Sequence, residues 1–225
     1  DPKIGLLDYM LRSFDSSKGR DLVFIPVGVN YDRVLEDRSS LLSLDPDAPR
    51  KSRIGIIKTT LLFFMRNLWL MLRGAWHRYG YTVVSFGTPI SMRLYVKRHN
   101  IDFREPDKKA RREKVQLLAQ DLMQAVARTI PVAPVSLVAS VFVENPDKIF
   151  SAREIKARAK SLISKLEENG ALVYIPRSDQ DYTVEVGLRM LTLRHLVLEE
   201  NDKFRAAPGE INLLQYYVNS ISHYI

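Results

Sequence analysis

One segment organises this chain, and it reads Val23-Phe24-Ile25-Pro26-Val27-Gly28-Val29-Asn30-Tyr31-Asp32-Arg33-Val34-Leu35-Glu36. It begins as a β-branched and aromatic run, which is typical of a buried strand. Pro26 stands inside that run, and proline cannot donate a hydrogen bond to a sheet ladder. The segment therefore predicts a strand end, an edge or a bulge at Pro26, and such places often line a pocket.

Polar residues follow the strand. Gly28 and the cluster Asn30-Tyr31-Asp32 end it, so we expect Tyr31, Arg33 and Glu36 to point outward together. The alternative is a plain strand followed by a polar turn. In that case Glu36 is a solvated carboxylate at a helix start, and Arg33 is a surface charge.

Composition bounds the class of protein. A chain of 225 residues holds one large domain or two small ones, and 46% hydrophobic residues support a true core. Cysteine is absent, which excludes disulfides, thiolate metal sites and a cysteine nucleophile. The four histidines show no metal-ligand spacing, so we expect no metal site. The residues at the start, Asp1-Pro2-Lys3, do not read as a signal peptide.

The predicted elements suggest two domains and an α/β fold. Residues 22–29 and 81–86 read as strands flanking a long helix over 54–76, which predicts a parallel crossover unit. After Pro106 the chain becomes mostly helical, with a short strand at 171–175. The expected division is 1–105, a sheet domain, and 106–225, a helical domain.

The helical domain has one further pattern. Ser151 and Glu154 form a capping box that begins a helix. From there to Phe204 the chain reads as helix, strand, helix and a two-strand wing, which resembles a winged helix.

Positive charge is concentrated in one region. The formal net charge is +8, and no acidic residue occurs between Asp47 and Asp102, a gap that contains ten lysines and arginines. Such a surface attracts phosphate, whether on a nucleic acid, a lipid headgroup or a soluble ligand. Residues 1–105 carry a surplus of +6 (17 bases, 11 acids), against +2 (17 bases, 15 acids) for 106–225.

The helix predicted over 54–76 lies in this basic gap. Charges interrupt it too often for a membrane span. Its bases Lys58, Arg66 and Arg73 fall within one narrow arc, while Trp69 and Trp76 belong to the wide apolar surface. This pattern predicts a helix in the membrane interface. The alternative is a core helix whose long basic side chains reach solvent.

Four motifs, in order along the chain, resemble the glycerol-3-phosphate acyltransferase family, in its membrane-bound bacterial and mitochondrial type. Pro26, Val27, Tyr31 and Glu36 match the family's fourth motif. The segments Pro2-Lys3-Ile4-Gly5-Leu6-Leu7, Phe86-Gly87-Thr88-Pro89-Ile90 and Tyr216-Tyr217-Val218-Asn219-Ser220-Ile221-Ser222-His223 agree with three others, although Thr88 replaces an expected acidic residue. The resemblance implies a partial acyltransferase domain in which Pro26, Val27, Tyr31 and Glu36 bind substrate.

Two motifs of that family are missing. No histidine is followed five residues later by aspartate, and no Glu-Gly-x-Arg occurs. The resemblance therefore implies that the catalytic base lies on an upstream segment, that no catalytic residue lies in this chain, and that the chain alone is inactive.

The resemblance implies acyl transfer to the sn-1 hydroxyl of glycerol 3-phosphate in phospholipid biosynthesis, with acyl-CoA or acyl carrier protein as donor and no cofactor. Its partners would be the lipid surface, the donor, glycerol phosphate and the upstream segment, at the cytoplasmic face of a membrane. Dihydroxyacetone phosphate is the alternative acceptor. The alternative from another functional class is a non-enzymatic basic module that binds anionic membrane or nucleic acid. Because the basic excess lies away from the winged-helix-like part, we expect no nucleic-acid partner.

Liposome pelleting tests the interface helix. We expect the chain to pellet more strongly with vesicles containing anionic lipid than with neutral vesicles, because Lys58, Arg66 and Arg73 attract acidic headgroups. Pelleting that does not depend on lipid charge contradicts this interpretation.

Overall fold

The computed structural model describes residues 3–34, 37, 65, 80–104 and 107–225. The helices are α1 (Gly5–Leu11), α2 (Met92–His99), α3 (Lys108–Ala127), α4 (Pro134–Val143), α5 (Ala152–Glu168), α6 (Gln180–Leu193) and α7 (Ile211–Asn219). The strands are β1 (Val23–Phe24), β2 (Val27–Tyr31), β3 (Thr82–Phe86), β4 (Ile90–Ser91), β5 (Phe150–Ser151), β6 (Val197–Glu200) and β7 (Lys203–Ala206). The mixture of helices and small sheets is compatible with the expected α/β class.

The first four strands pair two by two and together form a ribbon that is two strands wide. β1 pairs with β4, and β2 pairs with β3, with Val27 opposite Phe86 and Tyr31 opposite Thr82. Both pairs are antiparallel, so the predicted parallel crossover is wrong. The alternation of apolar residues specifies which face of a strand is buried but not the direction of the strand.

Pro26 interrupts the ribbon, as the sequence predicts. β1 ends at Phe24 and β2 begins at Val27, while Pro89 stands in the matching break between β3 and β4. Neither proline can donate to the ladder. The Gly87 N–H donates to the Pro26 carbonyl at 2.8 Å, and this bond crosses the break.

The ribbon packs on a first hydrophobic cluster. Its fully buried members include Leu11 from α1, Met92 from α2, and Val115 and Leu118 from α3. Because α3 lies beyond residue 105, this cluster draws on both sides of the expected domain boundary. The division at 105 and 106 stays a prediction.

A second cluster surrounds α4. Every residue of that helix from Pro134 to Phe142 is buried, and α5, α6 and α7 pack around it. β5, β7 and β6 form an antiparallel sheet in that order. The predicted capping box begins α5, with the Ser151 N–H donating to Glu154 Oε2 at 2.9 Å.

The strand predicted at 171–175 is wrong. Within the described part of the chain, this segment makes a single bridge, in which Val173 pairs with Val132. The next donors of a parallel ladder would be Ile130 and residue 134, but the Ile130 N–H donates to the Ala127 carbonyl and Pro134 has no N–H, so the ladder stops on both sides of Val132.

Gly28 sets the distance between the ribbon and the end of α3. A Cβ atom at this position would lie 2.3 Å from the Thr129 carbonyl oxygen and 2.6 Å from the Ile130 nitrogen. Both are backbone atoms, which cannot move aside without shifting the chain. The ribbon therefore approaches the backbone after α3 more closely than any side chain permits.

We expect Gly28→Ala to lower the free energy of unfolding by about 1–3 kcal/mol, because the added methyl group forces two backbones apart. Gly5→Ala is the matched control, since nothing lies within 4 Å of a Cβ atom there. Urea unfolding of both variants checks this. Equal stability of the two variants would show that the ribbon is free to move away.

Candidate functional site

A hollow of about 510 Å³ opens at the break in the ribbon. The break contributes Pro26 and the turn Gly87–Pro89, while α2, the end of α3 and the segment after α5 supply the other walls. Most of the lining is apolar. The described lining residues are Pro26, Gly87, Thr88, Pro89, Ile90, Ser91, Leu94, Tyr95, Arg98, Ala125, Arg128, Thr129, Gly170 and Leu172.

The charge in this hollow is positive. Arg98 and Arg128 line it, and in the part of the chain that the structure describes no carboxylate lies within 4.0 Å of either guanidinium group. Tyr95 donates to the Asp121 carboxylate at 2.5 Å. Burial, and then this hydrogen bond, raise the pKa of Tyr95 well above its ordinary value. The hydroxyl thus stays neutral at physiological pH.

The opposite face of the ribbon is apolar and open to solvent. Val27, Val29 and Tyr31 on β2 lie across from Phe86, Val84 and Thr82 on β3. The five large apolar and aromatic side chains of this set are between 40% and 72% exposed. We call the six residues the exposed ribbon face.

The predicted substrate-binding residues are therefore divided. Pro26 is buried beside the hollow, whereas Val27 and Tyr31 lie on the exposed ribbon face. Glu36 lies outside the described residues. Their role in substrate binding stays a prediction. Alternation along the strand explains the division, because successive side chains point to opposite faces.

Asp32 ends β2 on the buried side, and its carboxylate is fully enclosed. The Tyr81 N–H donates to one carboxylate oxygen at 2.9 Å, and the Val135 N–H donates to the other at 3.1 Å. Val135 stands in the first turn of α4, where Ala133 at the N-cap has no side chain that can cap. Asp32 thus caps a helix that begins about 100 residues later. Burial raises the pKa of Asp32, and the two backbone bonds oppose that rise.

Asn30 and Asp37 join the same stretch to the C-terminal helices. Asn30 Nδ2 donates to the Pro131 carbonyl at 2.8 Å. Asp37 is buried and accepts from Arg194 Nη2 and from the Tyr217 hydroxyl, each at 2.5 Å. Arg194 also donates to the Tyr217 oxygen. Burial and the bond to Asp37 raise the pKa of Tyr217 to about 12.

The remaining sequence predictions concern the interface helix. Lys58, Arg66, Arg73, Trp69 and Trp76 lie outside the described residues. Among the residues that are described, no helix combines the length and the apolar character needed to cross a bilayer. Within that same part of the chain, no cluster of three or more potential metal ligands occurs.

Sequence reasoning missed the residues that hold this site together. Arg98 belongs to the acid-free gap, so its charge was visible, but Arg128 lies outside that gap. The ion pair between Asp37 and Arg194 joins residues 157 positions apart. No local pattern reports such a pairing, although Tyr217 stands in one of the segments that carry the family resemblance.

Comparison with known proteins places the chain in a family. The sequence model of the family described as glycerol-3-phosphate acyltransferase C-terminal region matches residues 67–225. A protein of Pseudomonas paraeruginosa (strain DSM 24068 / PA7), named glycerol-3-phosphate acyltransferase, is 30% identical over 144 residues, which cover 61% of this chain and 16% of the relative.

Two further relatives match along nearly the whole chain. Proteins of the same name from Haemophilus influenzae (strain PittEE) and Pseudomonas putida are 24% and 25% identical, and each match covers 99% of this chain. These matches cover 27% and 26% of the relatives. The chain therefore spans about a quarter of their length.

The buried cluster of Asp37, Arg194 and Tyr217 can be tested by a double-mutant cycle. We expect Arg194→Met to lower the free energy of unfolding by about 3 kcal/mol, because it leaves a buried carboxylate without its cation. Asp37→Asn should also destabilise. The free energy of unfolding of the double variant should fall by at least about 1 kcal/mol less than the sum of the decreases in the two single variants.

The ion pair of Lys156 and Glu185, at 2.6 Å on the surface, serves as the control. Lys156→Met should change stability by no more than about 1 kcal/mol. Urea unfolding measures all four variants. Strict additivity at Asp37 and Arg194 would mean that the ion pair does not join the ribbon to the C-terminal helices.

Proposed function

The chain belongs to the glycerol-3-phosphate acyltransferase family, C-terminal region, and from this premise we propose that it forms part of an enzyme that transfers a fatty acyl group to glycerol 3-phosphate. The transfer would join the acyl group to the sn-1 hydroxyl in phospholipid biosynthesis. The donor would be acyl-CoA or acyl carrier protein, and no cofactor takes part. Dihydroxyacetone phosphate is the alternative acceptor.

The chemistry of this step sets three requirements. The acceptor oxygen attacks the thioester carbonyl, the new ester C–O bond forms, and the C–S bond breaks to release the thiol. A general base takes the hydroxyl proton, which then neutralises the departing thiolate. Cationic groups hold the acceptor's phosphate, and hydrogen-bond donors stabilise the oxyanion.

The base would come from a segment outside these 225 residues. Five positions after His77, His99 and His195 stand Thr82, Arg104 and Glu200, so the family's His-x4-Asp motif is not present. On this proposal the chain alone has no catalytic residue and no activity.

The exposed ribbon face is the observation that best supports a catalytic base on a separate segment that docks on this chain. Soluble proteins rarely expose a contiguous apolar patch of this kind unless it binds something. A two-stranded ribbon is also marginally stable by itself and has open edges. Among the described residues, β2 and β3 pair only with each other. A further protein layer on this face would bury the patch, and a strand paired with an open edge of the ribbon would extend the sheet.

The catalytic segment is the partner that fits. Val27 and Tyr31 match the family's fourth motif and stand on this face, so a segment that docks here meets the residues expected to bind substrate. The chain also corresponds to only about a quarter of its relatives, which leaves ample length for a catalytic part. Glu36 would complete the wall of the substrate site, whereas Pro26, on the buried side of the ribbon, would act on substrate only through the strand that carries Val27.

The membrane would be the second partner. Lys58, Arg66 and Arg73 would contact anionic headgroups while Trp69 and Trp76 enter the acyl boundary. The protein would then be peripheral, at the cytoplasmic face, where both the lipid product and the soluble acceptor are accessible.

Residues 106–225 would act as a scaffold. The order α4, β5, α5, α6, β6, β7, with β7 in the middle of the sheet, supports a winged-helix-like arrangement. The small charge surplus of this region favours a structural role over nucleic-acid binding.

Co-expression with a catalytic segment tests the proposal. The probe is the portion of the Haemophilus influenzae relative that precedes its match to this chain. We expect the chain alone to transfer no acyl group to labelled glycerol 3-phosphate. We expect the two parts to co-purify, and Val29→Asp or Val84→Asp to weaken that association at least about tenfold, because each buries a charge in an apolar interface.

Leu117→Asp is the matched control, since Leu117 is an exposed apolar residue on α3 and does not belong to the exposed ribbon face. Circular dichroism verifies that all variants fold. Acyl transfer by the chain alone would refute the external base. Association that Val29→Asp and Val84→Asp leave unchanged would refute docking at the exposed ribbon face.

A further inference from the structure

The function proposed above gives no role to the hollow at the ribbon break. It lies on the buried side of the ribbon with Pro26, opposite the exposed ribbon face. Its volume of about 510 Å³ falls within the range of small-molecule sites. Such sites are mostly apolar with a few polar groups that fix the ligand's orientation, and this hollow has that composition.

Its lining combines two kinds of side chain. Leu94, Pro89, Ile90 and Leu172 provide aliphatic wall, whereas Arg98 and Arg128 provide charge. Neither guanidinium group has a carboxylate within 4.0 Å among the described residues, so no described carboxylate competes for their charge. Arginine presents planar N–H groups that match the oxygens of a phosphate.

No competing negative charge lines the hollow in the described part of the chain. Two carboxylates stand one hydrogen bond behind the lining, and both keep their negative charge. Asp121 accepts from the Tyr95 hydroxyl at 2.5 Å, and Asp21 accepts from the Ser91 hydroxyl at 2.6 Å. Among the described lining residues themselves, an anion in the hollow would therefore meet two cations, an apolar wall and no carboxylate.

We propose that this hollow binds an anionic amphiphile, an alkyl or acyl chain joined to a phosphate group. The phosphate contacts Arg98 and Arg128, and the first part of the chain lies along Leu94, Pro89 and Leu172. Uncharged amphiphiles lack the partner for the arginines, and free phosphate leaves the apolar wall in water. The ligand is either a dissolved single-chain phosphate ester or the headgroup region of a phospholipid in a membrane.

This proposal does not rest on acyl transfer. The docking face and the hollow use opposite sides of the ribbon, so the variants that test one leave the other intact. Loss of association with a catalytic segment and loss of amphiphile binding are separate measurements.

Calorimetry with the whole chain tests the proposal. The probes are octyl phosphate, octyl glucoside and inorganic phosphate, each below any micelle concentration. We expect octyl phosphate to bind at least about tenfold more tightly than either of the others. Arg98→Gln and Arg128→Gln should each weaken it about five- to tenfold, because each removes a charge-assisted hydrogen bond. Leu172→Ser should weaken the binding of octyl phosphate but not the binding of inorganic phosphate.

Arg112→Gln and Leu117→Ser are the matched controls, since both residues are exposed on α3 and neither lines the hollow. They should leave binding unchanged. Equal affinity for octyl phosphate and octyl glucoside, or for octyl phosphate and inorganic phosphate, overturns the proposal. So does binding that the two arginine variants do not weaken.

A vesicle arm distinguishes the two sources. Phosphatidylcholine vesicles with and without phosphatidate are pelleted with the chain and with the double variant Arg98→Gln, Arg128→Gln. Calorimetric binding of dissolved octyl phosphate supports a soluble ligand. Phosphatidate-dependent pelleting that the double variant weakens supports a membrane headgroup. If neither of these two results is obtained, the site is refuted.

Discussion

A buried carboxylate holds the two halves of this structure together. Asp32 has no contact with solvent, and its two oxygens accept the N–H groups of Tyr81 and Val135. Removing a carboxylate from water is costly, so its charge is tolerated only because those donors, and the positive end of the α4 dipole, face it. The same contact supplies α4 with the cap that Ala133 lacks. The ribbon and the central helix of the C-terminal cluster thus satisfy each other's polar groups.

The geometry of one strand follows from this constraint. Asn30 and Asp32 must face the C-terminal helices, so Val27, Val29 and Tyr31 must face the other way. A shift of one residue would bury the valines and expose Asp32, breaking the cap. Gly28, with no side chain, allows the ribbon to reach the backbone after α3. The exposure of the apolar face is therefore a consequence of the anchoring of the polar one.

The sequence predicted the parts of this arrangement that depend on local chemistry. The break at Pro26 and the capping box at Ser151 follow from which backbone groups can donate, and both are confirmed. The parallel strand direction and the strand at 171–175 were predicted wrongly, because both depend on what distant segments offer. Asp32 was read as a turn residue for the same reason. Its partner Val135 lies 103 residues away, and no pattern within the turn reports it.

The anchoring also bears on how a second layer would dock. The stretch from Asn30 to Asp37 contacts the C-terminal helices at Pro131, Val135, Arg194 and Tyr217. Those contacts are buried and partly charged, so they define one orientation of the ribbon rather than a range. A partner that docks on the exposed ribbon face meets a surface already held in place, and less conformational entropy is lost on association. On the function proposed above, the C-terminal helices would contribute to activity without touching substrate, because they would present the residues of the ribbon to the segment that carries the base.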